Sequence, residues 1–126
     1  MTDGYGVRLS KVVAERGPLC VGIDPHPSLL DAWGLPRTAV GLERCARGMV
    51  EALGAQVAVF KPQSAFFEPY GSAGIAVLER TLTDIAAAGA RLLQLYTGFI
   101  YSGPALVAQI NELVAREQPA PDPRRT

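Results

Sequence analysis

The stretch Leu19-Cys20-Val21-Gly22-Ile23-Asp24-Pro25-His26-Pro27 decides the fold. Its first half is apolar without alternation, and it stops at an aspartate flanked by prolines. An unbroken apolar run of this length reads as a strand covered on both faces. Pro25 and Pro27 lack the amide hydrogens that a central strand donates, so the strand gives way to a loop there. The pattern returns twice. Val57-Ala58-Val59-Phe60 is ended by Lys61-Pro62, and Leu92-Leu93-Gln94-Leu95 is ended by Tyr96-Thr97-Gly98.

Helical periodicity fills the intervals. Leu9, Val12 and Val13 mark a first helix that Gly17-Pro18 stops. Residues 38 to 53 read as a helix with Thr38 as N-cap, an apolar stripe of Leu42, Cys45, Met49, Val50 and Leu53, and Gly54 as its stop. A loop from Gln63 to Gly71 leads into a helix over about 72 to 88, with Ile75, Leu78, Leu82 and Ile85 on one face and Gly89 beyond its end. A last helix is predicted from about Gly103 to Ala115, and Pro119 to Thr126 reads as a frayed, disordered tail. Strands alternating with amphipathic helices imply an α/β protein with parallel strands covered by helices.

The 126 residues suffice for a core, with 48% apolar and 19% charged side chains. Twelve cationic side chains balance twelve anionic ones, which gives no pull toward nucleic acid or an anionic membrane. No run of eighteen apolar residues is present, and Met1 to Arg16 carries no apolar stretch of the signal-peptide kind. Cys20 and Cys45, without a second thiol or a histidine at ligand spacing, read as two buried thiols of a reducing, cytoplasmic compartment.

In parallel sheets of this kind, polar residues at the C-terminal strand ends build the site. That rule selects Asp24, Lys61 and Tyr96-Thr97-Gly98. Asp24 can accept hydrogen bonds from sugar hydroxyls or pair with a lysine, or it can simply form a turn before Pro25. Lys61 should project into the mouth of the sheet toward a carboxylate or phosphate, or else snorkel from a strand edge. Amides beside Gly98 and the Thr97 hydroxyl suit a phosphate, although a tight strand-to-helix turn uses the same residues. His26 reads as a loop histidine, and Trp33, Arg37 and Arg47 as surface or packing residues. No metal-ligand spacing is present, and none of the glycine-rich phosphate loops or nucleophile elbows occurs.

Leu19 to Pro27, taken together with Val59-Phe60-Lys61-Pro62-Gln63-Ser64-Ala65-Phe66-Phe67-Glu68-Pro69-Tyr70-Gly71 and the following Gly74 to Arg80, resembles the first two βα units of orotidine 5'-phosphate decarboxylase in its actinobacterial branch. The resemblance covers about residues 4 to 90. It implies a (β/α)8 barrel, usually dimeric, that converts orotidine 5'-phosphate to UMP and CO2 in pyrimidine biosynthesis without a cofactor. It implies that Asp24 contacts the ribose, and that Lys61 belongs to a catalytic lysine–aspartate network beside the ribose and carboxylate. Gln63 and Glu68 would line or brace the site. The small-molecule substrate, orotidine 5'-phosphate or its product UMP, is the expected partner.

The family's third strand should carry Asp-x-Lys-x-x-Asp, whose lysine protonates the new carbanion. Here the corresponding strand reads Leu92 to Gly98, and no lysine follows Lys61. The resemblance therefore implies that these 126 residues lack the proton donor. Gly89 to Pro104 instead resembles the last βα unit of dihydroorotate dehydrogenase, in which the residues matching Tyr96 and Thr97 hold the FMN phosphate. The chain thus divides into residues 1–90, residues 91–118 and a tail at 119–126. About three βα units make an incomplete TIM barrel, since a closed one needs roughly 200 residues. Open sheet edges then predict either self-association or marginal stability. The residues also admit a non-catalytic nucleotide- or flavin-phosphate-binding fragment, or a truncated or recombined reading frame.

Overall fold

The computed structural model describes residues 4–90 together with Ala108, Gln109 and Glu112. The predicted strand at 92–95, the Tyr96-Thr97-Gly98 turn, the tail and most of the last helix lie outside the described residues. Helix α1 (Tyr5–Arg16) leads into β1 (Cys20–Ile23), followed by α2 (Pro27–Ala32) and α3 (Ala39–Leu53). Strand β2 (Val59–Pro62) and two short 3-10 turns, Ser64–Phe66 and Glu68–Tyr70, precede α4 (Gly71–Ala87).

β1 and β2 pair in parallel, with Cys20 opposite Val59, Val21 opposite Phe60, Gly22 opposite Lys61 and Ile23 opposite Pro62. Two sequence expectations shift here. Lys61 and Pro62 lie within β2 rather than ending it, and Val57-Ala58 precede it. The ladder tolerates Pro62 because strand amides alternate in direction. The Gln63 amide donates back to the Ile23 carbonyl at 3.2 Å, so the neighbouring Pro62 nitrogen faces the other edge, where no bond to β1 is lost. The stretch after Pro25, read as a loop, holds the extra helix α2. Pro27 occupies its first turn, where a missing N–H costs nothing.

The core forms where α3 and α4 pack on one sheet face. Leu42, Ala46 and Val50 of α3 meet Val77, Leu78, Leu82 and Ile85 of α4, over Ile23 and Phe60 of the strands. Phe67 in the strand-to-helix turn is fully buried in the same cluster. Thr38 caps α3 as expected, its hydroxyl accepting from the Gly41 amide at 3.4 Å. Gly54, predicted as the stop of this helix, is its C-cap and has helical backbone angles. Its role is close approach: a Cβ there would lie 2.5 Å from the Val50 carbonyl oxygen and 2.8 Å from Ala88 Cβ.

Two polar devices tie the helices together. Arg47 grips Asp84 with bonds of 2.6 and 3.2 Å and Glu43 at 3.0 Å, while Arg80 grips Glu43 at 2.6 and 3.1 Å. At the other end, Arg16 Nη1 reaches the carbonyls of Gly54 (2.9 Å), Val57 (3.3 Å) and Ala88 (3.0 Å). A cation at carbonyls just beyond two helix C-termini satisfies acceptors those helices leave open.

The thiol expectation holds for Cys45, which is buried, and fails for Cys20, which is exposed. Helix α1 sets Val12 against Val59 of β2 and Ala58 just before it, and leaves the first residue of β1 uncovered. No described helix is long and apolar enough to cross a membrane.

Candidate functional site

Parallel register decides which side chains share a face. Residues opposite one another point the same way, and alternate residues along a strand follow them. Ile23 and Phe60 face α3 and α4. By the same alternation Gly22 and Lys61 face away from that core, and Asp24 and Gln63, each one residue past the C-terminal end of its strand, continue the alternation onto that side. The chain thus gathers a carboxylate, an ammonium and an amide on one side of the sheet. All three are half-buried.

The carboxylate of Asp24 folds back over Gly22. A Cβ on Gly22 would lie 2.6 Å from Asp24 Oδ2, so glycine here leaves room for the carboxylate. Oδ1 is shielded from solvent and has no hydrogen-bond partner, and the same is true of the Ser64 hydroxyl just beyond β2. A buried acceptor without a donor costs about 1–3 kcal/mol, so such atoms call for a partner. Lys61 makes no hydrogen bond or ion pair with any described residue. Tyr96, Thr97 and Gly98, the predicted phosphate cradle, lie outside the described residues.

Two site-proximal features escaped the sequence reading. Ser64 gave no signal, since a serine after a strand is ordinary. His26, read as a loop residue, caps α2: Nδ1 lies 3.2 Å from the Leu29 amide and 2.7 Å from the Ser28 hydroxyl. Pro27 at the following position is the sequence sign of a helix start that could have revealed it. The His26 ring also meets Phe66 edge-on at 6.0 Å, joining the turns that follow β1 and β2.

An open groove of about 760 Å³ lies elsewhere, between the outer faces of α3 and α4 beside Arg16. It sits at the helix C-termini, the end of the sheet opposite Asp24 and Gln63, and two of its three arginines, Arg16 and Arg47, are already engaged by carbonyls and carboxylates. Among the described residues, no group of three histidine, cysteine or acidic side chains is placed to hold a metal.

Two parallel strands alternating with helices, with polar groups at the strand ends, fit part of a (β/α)8 barrel. Comparison with known proteins specifies which. The chain is 60% identical over 91 residues to the orotidine 5'-phosphate decarboxylase of Salinispora tropica, covering 72% of this chain and 33% of that protein. It is also 60% identical over 88 residues to the Streptomyces coelicolor enzyme of the same name, covering 70% of this chain and 32% of that one. A solved structure described as an orotidine 5'-phosphate decarboxylase from Streptomyces avermitilis superposes with a TM-score of 0.70 at 60% identity, over 75% of this chain and 33% of that chain. These identities make the matched stretch a homologue of the orotidine 5'-phosphate decarboxylases. The chain spans about a third of the length of the curated relatives it matches. No protein-family model matches it.

Proposed function

We propose that this chain carries part of the nucleotide site of an orotidine 5'-phosphate decarboxylase, the cytoplasmic enzyme that turns orotidine 5'-phosphate into UMP and CO2. The observation that carries this reading is the buried, unpartnered Oδ1 of Asp24, on the same sheet face as Lys61 and Gln63. A ribose hydroxyl donates the hydrogen bond that this oxygen lacks. Lys61 supplies positive charge beside the substrate carboxylate, and Gln63 offers both a donor and an acceptor to the nucleotide.

Binding and turnover separate in this chain. Protonating the carbanion left by CO2 needs an acid within hydrogen-bond reach. The sequence has no lysine after Lys61, so the isolated chain is expected to bind nucleotide without turnover. The reading keeps the division near residue 90, with residues 91–118 as a dihydroorotate dehydrogenase-like unit whose Tyr96, Thr97 and Gly98 are phosphate ligands. It also includes self-association: among the described residues, β1 and β2 each bond to one neighbour only.

Thermal unfolding with and without millimolar UMP tests it, because a ligand stabilises only the state it binds. The expected result is a cooperative transition that rises with UMP, and a rise abolished by Asp24→Asn. A transition indifferent to UMP overturns the reading.

A further inference from the structure

We propose that His26 is a nucleotide-binding residue that donates a hydrogen bond from Nε2–H to a ribose or phosphate oxygen. The inference rests on the nucleotide-site reading above and adds a contact to it. It starts from the tautomer. Nδ1 lies 3.2 Å from the Leu29 amide, which can only donate, and which it shares with the His26 carbonyl oxygen at 2.9 Å. A proton on Nδ1 would point at that amide hydrogen. The Ser28 hydroxyl at 2.7 Å rotates freely and can donate to Nδ1 as well. In the neutral ring the proton therefore sits on Nε2.

The ring is also held in place. Its backbone amide donates to the Asp24 carbonyl at 2.7 Å, Nδ1 caps α2, and Phe66 packs edge-on from the turn after β2. Nε2 makes no hydrogen bond with a described residue and is not among the buried unpartnered atoms, so it opens to solvent. This is a fixed, single-direction donor two residues from Asp24, bridging the two turns that frame the strand ends. A donor fixed before binding loses little entropy when an acceptor arrives. Oxygens of a nucleoside phosphate are the acceptors that fit beside a ribose-binding carboxylate.

His26 is the chain's single histidine, so its imidazole nitrogens are unambiguous in a ¹⁵N spectrum of the full chain. At about pH 8, where an ordinary imidazole is neutral, the expected spectrum has an unprotonated Nδ1 and a protonated Nε2. The Nε2 resonance should move on saturation with UMP. Protonated Nδ1, or an Nε2 resonance that UMP leaves still, overturns the proposal.

His26→Asn supplies the second arm. The asparagine amide overlays the Nδ1 side of the ring, so it keeps the cap, but it cannot reach the Nε2 position. It should weaken UMP binding about tenfold, the loss of one hydrogen bond to a charged or strongly polar group, while leaving ligand-free unfolding nearly unchanged. Weakening for UMP alone places the acceptor on the phosphate, and equal weakening for uridine places it on the ribose. Equal UMP affinity in His26→Asn and the parent chain overturns the His26 contact alone. Failure of the parent chain to bind UMP overturns the site reading as well.

Discussion

Replacing Arg16 by methionine tests whether one side chain holds the helix ends together. Methionine keeps the apolar stem and removes the guanidinium. Nη1 faces three carbonyl oxygens, at 2.9, 3.0 and 3.3 Å, but carries only two hydrogens. The longest contact, to Val57, is therefore shared, and two full bonds are lost. Bonds from a charged donor contribute about 1.5–3 kcal/mol each when buried. This site borders an open groove, where water can rehydrate the freed carbonyls, so the lower end applies. The expected loss is about 2–3 kcal/mol. With a urea slope of about 1 kcal/mol/M for a unit of this size, the unfolding midpoint should fall by about 2–3 M. Arg16→Lys should recover only part of it, since the shorter lysine side chain brings its ammonium short of the Nη1 position. Equilibrium urea unfolding followed by circular dichroism is the assay. A midpoint shift under about 0.5 M for Arg16→Met would show that the three carbonyls are equally well served by water, and would refute the clamp.

Gly22→Ala should abolish the UMP-induced rise in unfolding temperature, with little change in ligand-free stability. The added methyl meets the movable end of Asp24 and pushes its carboxylate aside, and an undiminished UMP effect would show that this carboxylate does not bind the ligand. Arg80 and then Arg47, by hydrogen bonding, hold the Glu43 carboxyl below its ordinary value of 4.5. Its folded-state value is thus depressed, so its contribution is present above that ordinary value and is lost as pH falls through the folded one. Urea midpoints from pH 6 to pH 3 should fall less steeply in Glu43→Gln than in the parent chain, and by a small margin, because the network is solvent-facing. A thiol reagent under native conditions should modify Cys20 and spare Cys45, whose burial pushes its thiol up from the ordinary value. Mass mapping of the labelled peptides checks this, and equal labelling would contradict the burial of Cys45.

The sequence by itself determined the order of α1, β1, α3, β2 and α4, because apolar runs and helical stripes are local patterns that burial enforces. It also selected Asp24 and Lys61, since the rule about strand ends needs only element order. The cap at Thr38 was legible for the same reason: its hydroxyl and the Gly41 amide are three residues apart. Tertiary structure decided what depends on distant segments. Gly22 matters because the pleat folds Asp24 back over it, and Lys61 joins Asp24 on one face only through the register that sets Gly22 opposite it. Arg16 meets Ala88 across 72 residues of chain, and nothing in either local sequence announces that contact. Cys20 lies in an apolar run, yet it is exposed because α1 covers the neighbouring strand instead. Local periodicity reports which face of an element is apolar, and only the packing of the elements reports what that face, or a polar atom beside it, finally touches.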